Sequence, residues 1–427
     1  MRTRRNLTLA LLATLVLAAT PAAGTAPTSE GGPQGPPWRA TPAGYVSGPV
    51  EHVATVPLDA AGGVDAVLHD DLLVVTSWRG FSLYDVSDPE DPTLLSTRAL
   101  APALLNERPQ TDGRLLLLSR DAQALPPAEE GAPRSGAALD VWDISDPTDP
   151  ELVSTYHSEV LGPFRVQRDH MWTCVVDCTT VWSATGTIVD LSDPAAPRRL
   201  ERRWNEVAPW KAFHYVGESA PGIVLVGADP SYVLDGRDDP TAPEVLVTFD
   251  PRTAPTGRLL GALPNPITNP TSLPARAEWP DPLRGRLAVV TMETPFTGPC
   301  SEASGEVRTW LTPGWRDTGT FEPADTYRIT ANGTYDDGSP PANAVGCGAY
   351  GLAVRPGFDQ TGGQVGVTFF EHGFRFLDVG QKGQITELGG FVPFAGNSTA
   401  TLWPTRDLVY VVDLHRGLEI LRVTPGA

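Results

Sequence analysis

Leu139-Asp-Val-Trp-Asp-Ile-Ser-Asp-Pro-Thr-Asp-Pro150 decides the fold of this chain, because the same phrase recurs along it. It stands earlier as Gly80-Phe-Ser-Leu-Tyr-Asp-Val-Ser-Asp-Pro-Glu-Asp-Pro92 and later as Gly186-Thr-Ile-Val-Asp-Leu-Ser-Asp-Pro-Ala-Ala-Pro197. Worn copies follow at Tyr232-Val-Leu-Asp-Gly-Arg-Asp-Asp-Pro-Thr-Ala-Pro243 and Gly373-Phe-Arg-Phe-Leu-Asp-Val379. Each copy opens on a short run that alternates apolar with small or polar residues, the period of a strand. Ser-Asp-Pro stops the run. The Asp side chain can accept nearby backbone N–H groups, and Pro sets φ for a turn while removing a ladder donor. A new strand begins at once, as in Thr93-Leu-Leu-Ser-Thr97 and Glu151-Leu-Val-Ser-Thr155.

Outward from the phrase, an apolar strand precedes each copy, at 72–76, 115–118, 223–226, 287–290, 365–370 and 408–412. Short turns ending in glycine join it to the phrase: Trp78-Arg79-Gly80, Glu371-His372-Gly373 and His415-Arg416-Gly417. Such a connection is a hairpin whose glycine supplies positive φ. An earlier, innermost strand completes four per unit. Seven units are counted, with third strands near residues 80, 138, 186, 232, 305, 373 and 417. The expected fold is all-β, a seven-bladed β-propeller of four-stranded blades. Residues 264–282 and 296–346 read as Pro-, Asn- and Gly-rich insertions in two longer blades. The last blade ends on its third strand, at 418–423. Its fourth is expected from Val50-Glu-His-Val-Ala-Thr-Val56, which would close the ring and remove its exposed edges.

The ends and the bulk composition frame this domain. Residues 1–26 carry a secretion-signal pattern: Arg2, Arg4 and Arg5, an apolar stretch over 7–19 too short to span a bilayer comfortably, and then small residues. Residues 27–45 read as a disordered Pro- and Gly-rich leader. Residues 46–427 are expected to be the propeller. Pro 43 and Gly 42 together make about a fifth of the 427 residues, which suits many short strands and turns and argues against long helices. The net charge of −19 disfavours nucleic acid and anionic membrane as partners. Four cysteines in an exported chain are expected to form two disulfides. Cys174 with Cys178 and Cys300 with Cys347 are the favoured pairs. The first needs a tight turn around 175–177, since a straight strand would hold the two about 13 Å apart.

The pattern Gly-Leu-x-Val-x-Asp-Val-Ser-Asp-Pro-x-x-Pro resembles the LVIVP repeat of bacterial secreted β-propellers. Asp169-His-Met-Trp-Thr-Cys-Val-Val-Asp-Cys178, Phe370-Glu-His-Gly-Phe-Arg-Phe-Leu-Asp378 and Asp413-Leu-His-Arg-Gly-Leu-Glu-Ile-Leu-Arg422 look like a secreted subfamily of these. The likeness covers most of residues 65–423. It implies the propeller and export, and brings no established reaction with it. A more distant likeness, at the level of fold, is to the propellers of selenium-binding proteins and methanethiol oxidases, which carry metal-binding histidines.

Local chemistry is sparse. The seven histidines form neither HxH nor HExxH. No GxSxG marks a serine nucleophile, and no GxGxxG or GxxxxGK[ST] marks a nucleotide loop. Most aspartates fall in the repeated phrase, where turn capping accounts for them. His170 and His214 stand where innermost strands begin. Arg79, Glu371, His372, His415 and Arg416 stand in the turns that open on the same face as those strands. The ligand-binding candidates are therefore Arg79, His170, His214, Glu371, His372 and Arg416, a ring suited to an anion or a metal ion. The expected function is a secreted, extracellular or cell-wall binding module, monomeric and without a membrane anchor. Its partner would be an extracellular protein, peptide or glycan, and no cofactor is called for. The alternative is an exported metal- or anion-dependent enzyme using His170, His214 and His372 at the channel mouth.

Overall fold

The computed structural model describes residues 38–58, 62–100, 107–120, 138–158, 171–208, 212–229, 231–249, 273–278, 287–293, 306–311, 322–329 and 348–424. Seven antiparallel sheets form a ring, and the first strands of neighbouring blades adjoin around its axis. From axis to rim, blade 1 is Gly63–His69, Leu72–Ser77, Gly80–Asp85 and Thr93–Ala99. Blade 2 is Gln110–Thr111, Leu115–Arg120, Ala138–Asp143 and Glu151–His157; blade 3 is Trp172–Val175, Asp177–Ser183, Ile188–Asp190 and Arg198–Arg199. Blade 4 is Ala212–Ala220, Ile223–Asp229, Ser231–Asp235 and Glu244–Phe249; blade 5 is Leu273–Glu278, Leu287–Glu293, Glu306–Leu311 and Glu322–Arg328. Blade 6 is Leu352–Val354, Gly362–Thr368, Phe374–Gly380 and Ile385–Pro393. Blade 7 is Ser398–Leu402, Leu408–Asp413 and Gly417–Val423, completed at the rim by Val50–Val56 from the other end of the chain. The four strands of a blade are called a to d below, from axis to rim.

The expected ring and its closure are thus both present. The aspartates of the repeated phrase cap turns: Asp85, Asp143, Asp190 and Asp235 each accept the backbone N–H two residues on, at 2.8–3.0 Å. Asp88, Asp146, Asp193 and Asp239 do the same at 2.8–3.2 Å. The proline after each of these second aspartates has a further task. Its carbonyl accepts a hydrogen bond from the preceding blade: Tyr410 to Pro89 (2.7 Å), Ser96 to Pro147 (2.6 Å), Ser154 to Pro194 (2.6 Å) and Trp182 to Pro240 (2.9 Å). The phrase therefore makes the turn and stitches one blade to the next.

The turn glycines are demanded twice over. Gly80, Gly186, Gly373 and Gly417 have φ of 138°, 101°, 69° and 111°. A Cβ on Gly80, Gly373 or Gly417 would also sit 1.8, 2.2 or 2.4 Å from a carbonyl oxygen of strand d, namely that of Arg98, Phe391 or Val56. Strand d crosses where a side chain would project. Gly417→Ala is accordingly expected to lower stability by about 1–3 kcal/mol, read by chemical denaturation, because it adds backbone strain and displaces the closing strand.

Two expectations about the chain's course are corrected. Trp38–Ala40 and the first half of Gly44–Ser47 fall inside the stretch read as leader, yet both segments are strands on the outer edge of blade 6. That edge is otherwise an open row of backbone groups beside Phe391 and Val392, and the N-terminal segment covers it. Trp38 also lies on the guanidinium of Arg375, 4.8 Å away. The second correction concerns the stretches read as insertions. Besides the third strand expected near residue 305, which is Glu306–Leu311, they contain Leu273–Glu278 and Glu322–Arg328, the first and fourth strands of blade 5. Proline and glycine at both ends of these strands hide them in the sequence. Residues 1–37, including the signal pattern, lie outside the described residues, as do Cys300 and Cys347.

Tryptophans fill seams between blades. Trp142 meets Phe81 edge-on at 5.1 Å, and Trp182, Trp204 and Trp310 share one core. Trp204 is fully buried and donates its indole N–H to the Ser183 carbonyl at 2.7 Å. Trp210, Trp279 and Trp315 lie outside the described residues.

Candidate functional site

The turns between strands b and c open on one face of the ring, where strands a begin. Ser398 N–H bonds to the Phe370 carbonyl (2.8 Å) and Asn397 N–H to the Asp413 carboxylate (2.7 Å). The sequence-derived candidates on this face take different positions. Arg79 is exposed beside Trp78, at 44% the exposed aromatic among the described residues. Glu371 is buried. His372 is half-buried, and desolvation, then the charge of Arg375, lowers its pKa to about 4. It is therefore neutral at ordinary pH. Arg375 donates to the His372 carbonyl at 2.6 Å and lies 3.7 Å from Glu387. His170 lies outside the described residues. His214 falls within strand a of blade 4. Among the described residues no three His, Cys, Asp or Glu side chains gather as a metal site.

Arg416 turns away from the axis, into the seam where the chain's two ends meet. It is paired with Glu419, and it donates to Thr55 Oγ1 (3.2 Å) and the Phe394 carbonyl (3.3 Å). Glu419 is fully buried on the third strand of blade 7, directly opposite Thr55. It also accepts from Thr55 (2.6 Å) and contacts His52 Nε2 (2.8 Å). Burial raises the Glu419 carboxyl, but the hydrogen bonds from His52, Arg416 and Thr55 outweigh it and leave the pKa below the usual carboxylate value. Neighbouring Asp413 moves the other way. Burial raises it, with Glu419's charge adding to the rise, against backbone N–H bonds that pull it down. This polar knot holds the closure seam.

Inside the ring a second cluster forms, from residues that no motif marks. Asp65, on the first strand of blade 1, accepts the N–H of Ala66 and the N–H of Arg108, both at 2.8 Å. Arg108 precedes the first strand of blade 2 and has φ +52°, uncommon for a residue with a side chain. Its guanidinium carbon lies 4.7 Å from the ring centre of Tyr215, on the first strand of blade 4. Blade 3 stands between the two in the ring. Gly217 makes room: a Cβ there would meet Tyr215 Oη at 2.1 Å and Arg108 Nη2 at 2.6 Å. Arg108 Nε is sealed from solvent and has no acceptor among the described residues.

Toward the opposite face, Thr173 Oγ1 meets Gln110 Oε1 at 3.4 Å and accepts Glu218 N–H at 3.2 Å. Glu218 ties two hairpins together, accepting N–H from Val176 (2.6 Å) and Gly222 (2.7 Å) through one oxygen. Burial is the main influence on its carboxyl and raises it, opposed by those two N–H groups, with Asp177 raising and Arg108 lowering it. The expected Cys174–Cys178 pair is at bonding geometry beside it, with Cα atoms 4.6 Å apart across the turn at Val176, φ +67°.

The signal that could have flagged this interior cluster is thin: an Arg just before a first strand, and Tyr215-Val-Gly217 on a strand where alternation puts Tyr and Gly on one face.

Comparison with known proteins agrees with the architecture. The LVIVD repeat family matches residues 135–158, the heart of the phrase quoted first. This chain is a seven-bladed β-propeller that carries an LVIVD repeat. No curated protein matches. Among solved structures, the Cps50 (Swd1) β-propeller domain of Myceliophteria thermophila is 13% identical with a TM-score of 0.50, covering 87% of this chain and 99% of that one. The N-terminal domain of Nup159 is 12% identical with a TM-score of 0.48, covering 91% and 98%. A functionally unknown protein from Desulfotomaculum acetoxidans is 11% identical with a TM-score of 0.48, covering 84% and 88%. At 13% identity the likeness to the Cps50 (Swd1) domain is one of fold alone.

Proposed function

We propose that this LVIVD-repeat propeller is an exported binding module that docks a partner on the face formed by its b–c turns. The observation that carries the reading is Trp78, an exposed indole with exposed Arg79 beside it, on a turn of that face. Tryptophan and arginine are the residue types that most often anchor interfaces, and the other tryptophans with described side chains are buried or half-buried. Both belong to the turn of blade 1, which is held by Ser77: its hydroxyl accepts Arg79 N–H (3.2 Å) and donates to the Gly80 carbonyl (3.2 Å). The pair is thus presented on a rigid hairpin, which lowers the ordering cost of binding. Export is supported by the basic and apolar N-terminal pattern and by a cysteine pair at bonding geometry, a bond that persists in an oxidising compartment. A protein, peptide or glycan surface is the partner class that fits an aromatic–cation anchor on a strongly acidic body.

The test is capture by the immobilised protein from secreted and cell-wall fractions, with Trp78→Ala compared against wild type. The variant should keep its melting temperature, since the side chain is exposed, and should lose about 2 kcal/mol of partner affinity, roughly thirtyfold in Kd. Equal capture by both proteins would refute this face.

A further inference from the structure

We infer that the Cys174–Cys178 bridge is a redox switch: it holds the a–b hairpin of blade 3 in one strand register, and its reduction by a dithiol releases the hairpin into another. Above the bridge the two strands pair Trp172 with Ser183, Thr173 with Trp182 and Cys174 with Val181. One residue further on the register breaks, and Val175 stands opposite Asp177. Cys178, Thr179 and Thr180 are thereby left over on strand b. Continued without the break, the upper register pairs Val175 with Thr180 and closes on a four-residue turn, Val176-Asp177-Cys178-Thr179. Turns of that length are mostly built around a type I turn, whose central residues have negative φ. The observed turn instead holds Val176, a β-branched residue, at φ +67°.

The bridge and the continued register exclude one another. In the observed hairpin the two Cα atoms are 4.6 Å apart. In the continued one Cys174 stays opposite Val181, which puts Cys178 about 10 Å away along the strand. A disulfide spans no more than about 7 Å between Cα atoms. Only residues 175–179 need to move, because Thr180 is held by its pairing with Asp190 of strand c. The bridge joins neither two blades nor the ends of the chain, and it closes a very short loop, for which the entropy removed from the unfolded chain is smallest. Its main effect is therefore on the hairpin tip. Val176 is 48% exposed there, and its N–H donates to Glu218 Oε1 of blade 4 at 2.6 Å. Moving Val175 up to Thr180 draws Val176 back along strand b and unlatches the tip from blade 4, on the face opposite Trp78. The chemistry follows from exposure. Cys174 is half-buried and Cys178 buried, so a thiolate of the dithiol attacks Cys174 Sγ, the Sγ–Sγ bond breaks and Cys178 leaves as the thiolate. The second thiol, once deprotonated, attacks the reductant's own sulfur in the mixed disulfide and releases Cys174. Both cysteines take up protons, and the dithiol, having given both electrons, ends as its own disulfide.

Amide hydrogen exchange of the full mature chain, before and after treatment with dithiothreitol, tests the switch. Peptide mapping should find Cys174 and Cys178 open to alkylation at about 10 mM dithiol while the protein stays folded. Exchange at Val176 should then rise about tenfold or more, as its bond to Glu218 is lost. Thr173 and Trp182 should keep their protection, since their pairing is common to both registers. The Thr180 amide should gain protection, because the continued register bonds it to the Val175 carbonyl. General loosening of the hairpin gives no such gain. Cys174→Ser combined with Cys178→Ser should show the reduced pattern without any reductant and keep a single cooperative unfolding transition. Three results would overturn the inference: a bridge that resists the dithiol in the folded protein, reduction without added protection at Thr180, or loss of the cooperative transition in the double variant, which would make the bridge a structural staple.

Discussion

Removing residues 46–58 is expected to abolish the cooperative thermal transition of this protein. The deletion takes out Val50–Val56, the outer strand of the last blade, and half of Gly44–Ser47, which extends the sixth. Leu418, Ile420, Leu421 and Val423 on the neighbouring third strand are fully buried, as is Val50 itself. Uncovering such side chains costs about 1.5–3 kcal/mol each. Four of them together match the whole net stability of an ordinary domain, about 5–15 kcal/mol. The exposed third strand would also offer a row of unpaired backbone groups to other molecules, so aggregation should accompany the loss. Calorimetry or circular dichroism reads the outcome. A peptide spanning 46–58, added in trans, should restore a transition. An unchanged melting temperature in the truncated chain would show that the ring does not depend on its N-terminal strand.

The second large effect concerns Glu419, which holds the same seam by charge. Glu419→Ala leaves Arg416, His52 and Thr55 without their shared acceptor in a buried site, a loss of about 3–5 kcal/mol. The pH dependence follows from the direction of the shift. The folded-state pKa lies below the ordinary value of 4.5, so the stabilisation is fully present above that value and is lost as pH falls through the folded one. Buried Asp413, raised by its surroundings, contributes with the opposite sign, so the wild-type curve alone does not isolate Glu419. Comparison with Glu419→Gln does: the advantage of wild type in urea denaturation should shrink as pH is lowered from about 6 to about 3. A constant difference across that range would mean that the carboxylate charge does not hold the seam.

These two expectations meet at one place because a propeller has one weak seam. Every other blade is a continuous stretch of chain, whereas the last is assembled from segments whose paired residues are more than 350 positions apart, as in His52 and Glu419. Hydrogen bonding and charge are concentrated where the chain's continuity is missing. Arg416 illustrates the difference between position and role. Its turn opens on the face predicted to carry a site, yet its side chain runs to the seam, because the buried carboxylate of Glu419 lies three residues along the same hairpin. A charged residue inside the apolar run Leu418-Glu-Ile-Leu421 was the available sign of that lock.

What the sequence by itself determined is whatever repeats or depends on near neighbours. The alternation of the strands, the aspartates that cap the Ser-Asp-Pro turns, the glycines at positive φ, the Cys174–Cys178 hairpin and the orphan strand Val50–Val56 are all local signals, and counting them yields seven blades and their closure. Where proline and glycine crowd the strand ends, as in blade 5 and at 38–47, even these local signals fail. Only the tertiary structure decided which side chains face one another across the ring. Arg108 and Tyr215 are more than a hundred residues apart on blades that are not neighbours, and no spacing announces their contact. The lowered pKa of His372 likewise has no sequence signature, since it sums desolvation from everything packed around the turn. Strand periodicity is a property of a few consecutive residues, while burial, charge environment and the convergence of side chains in a channel are set by the curvature of the closed ring.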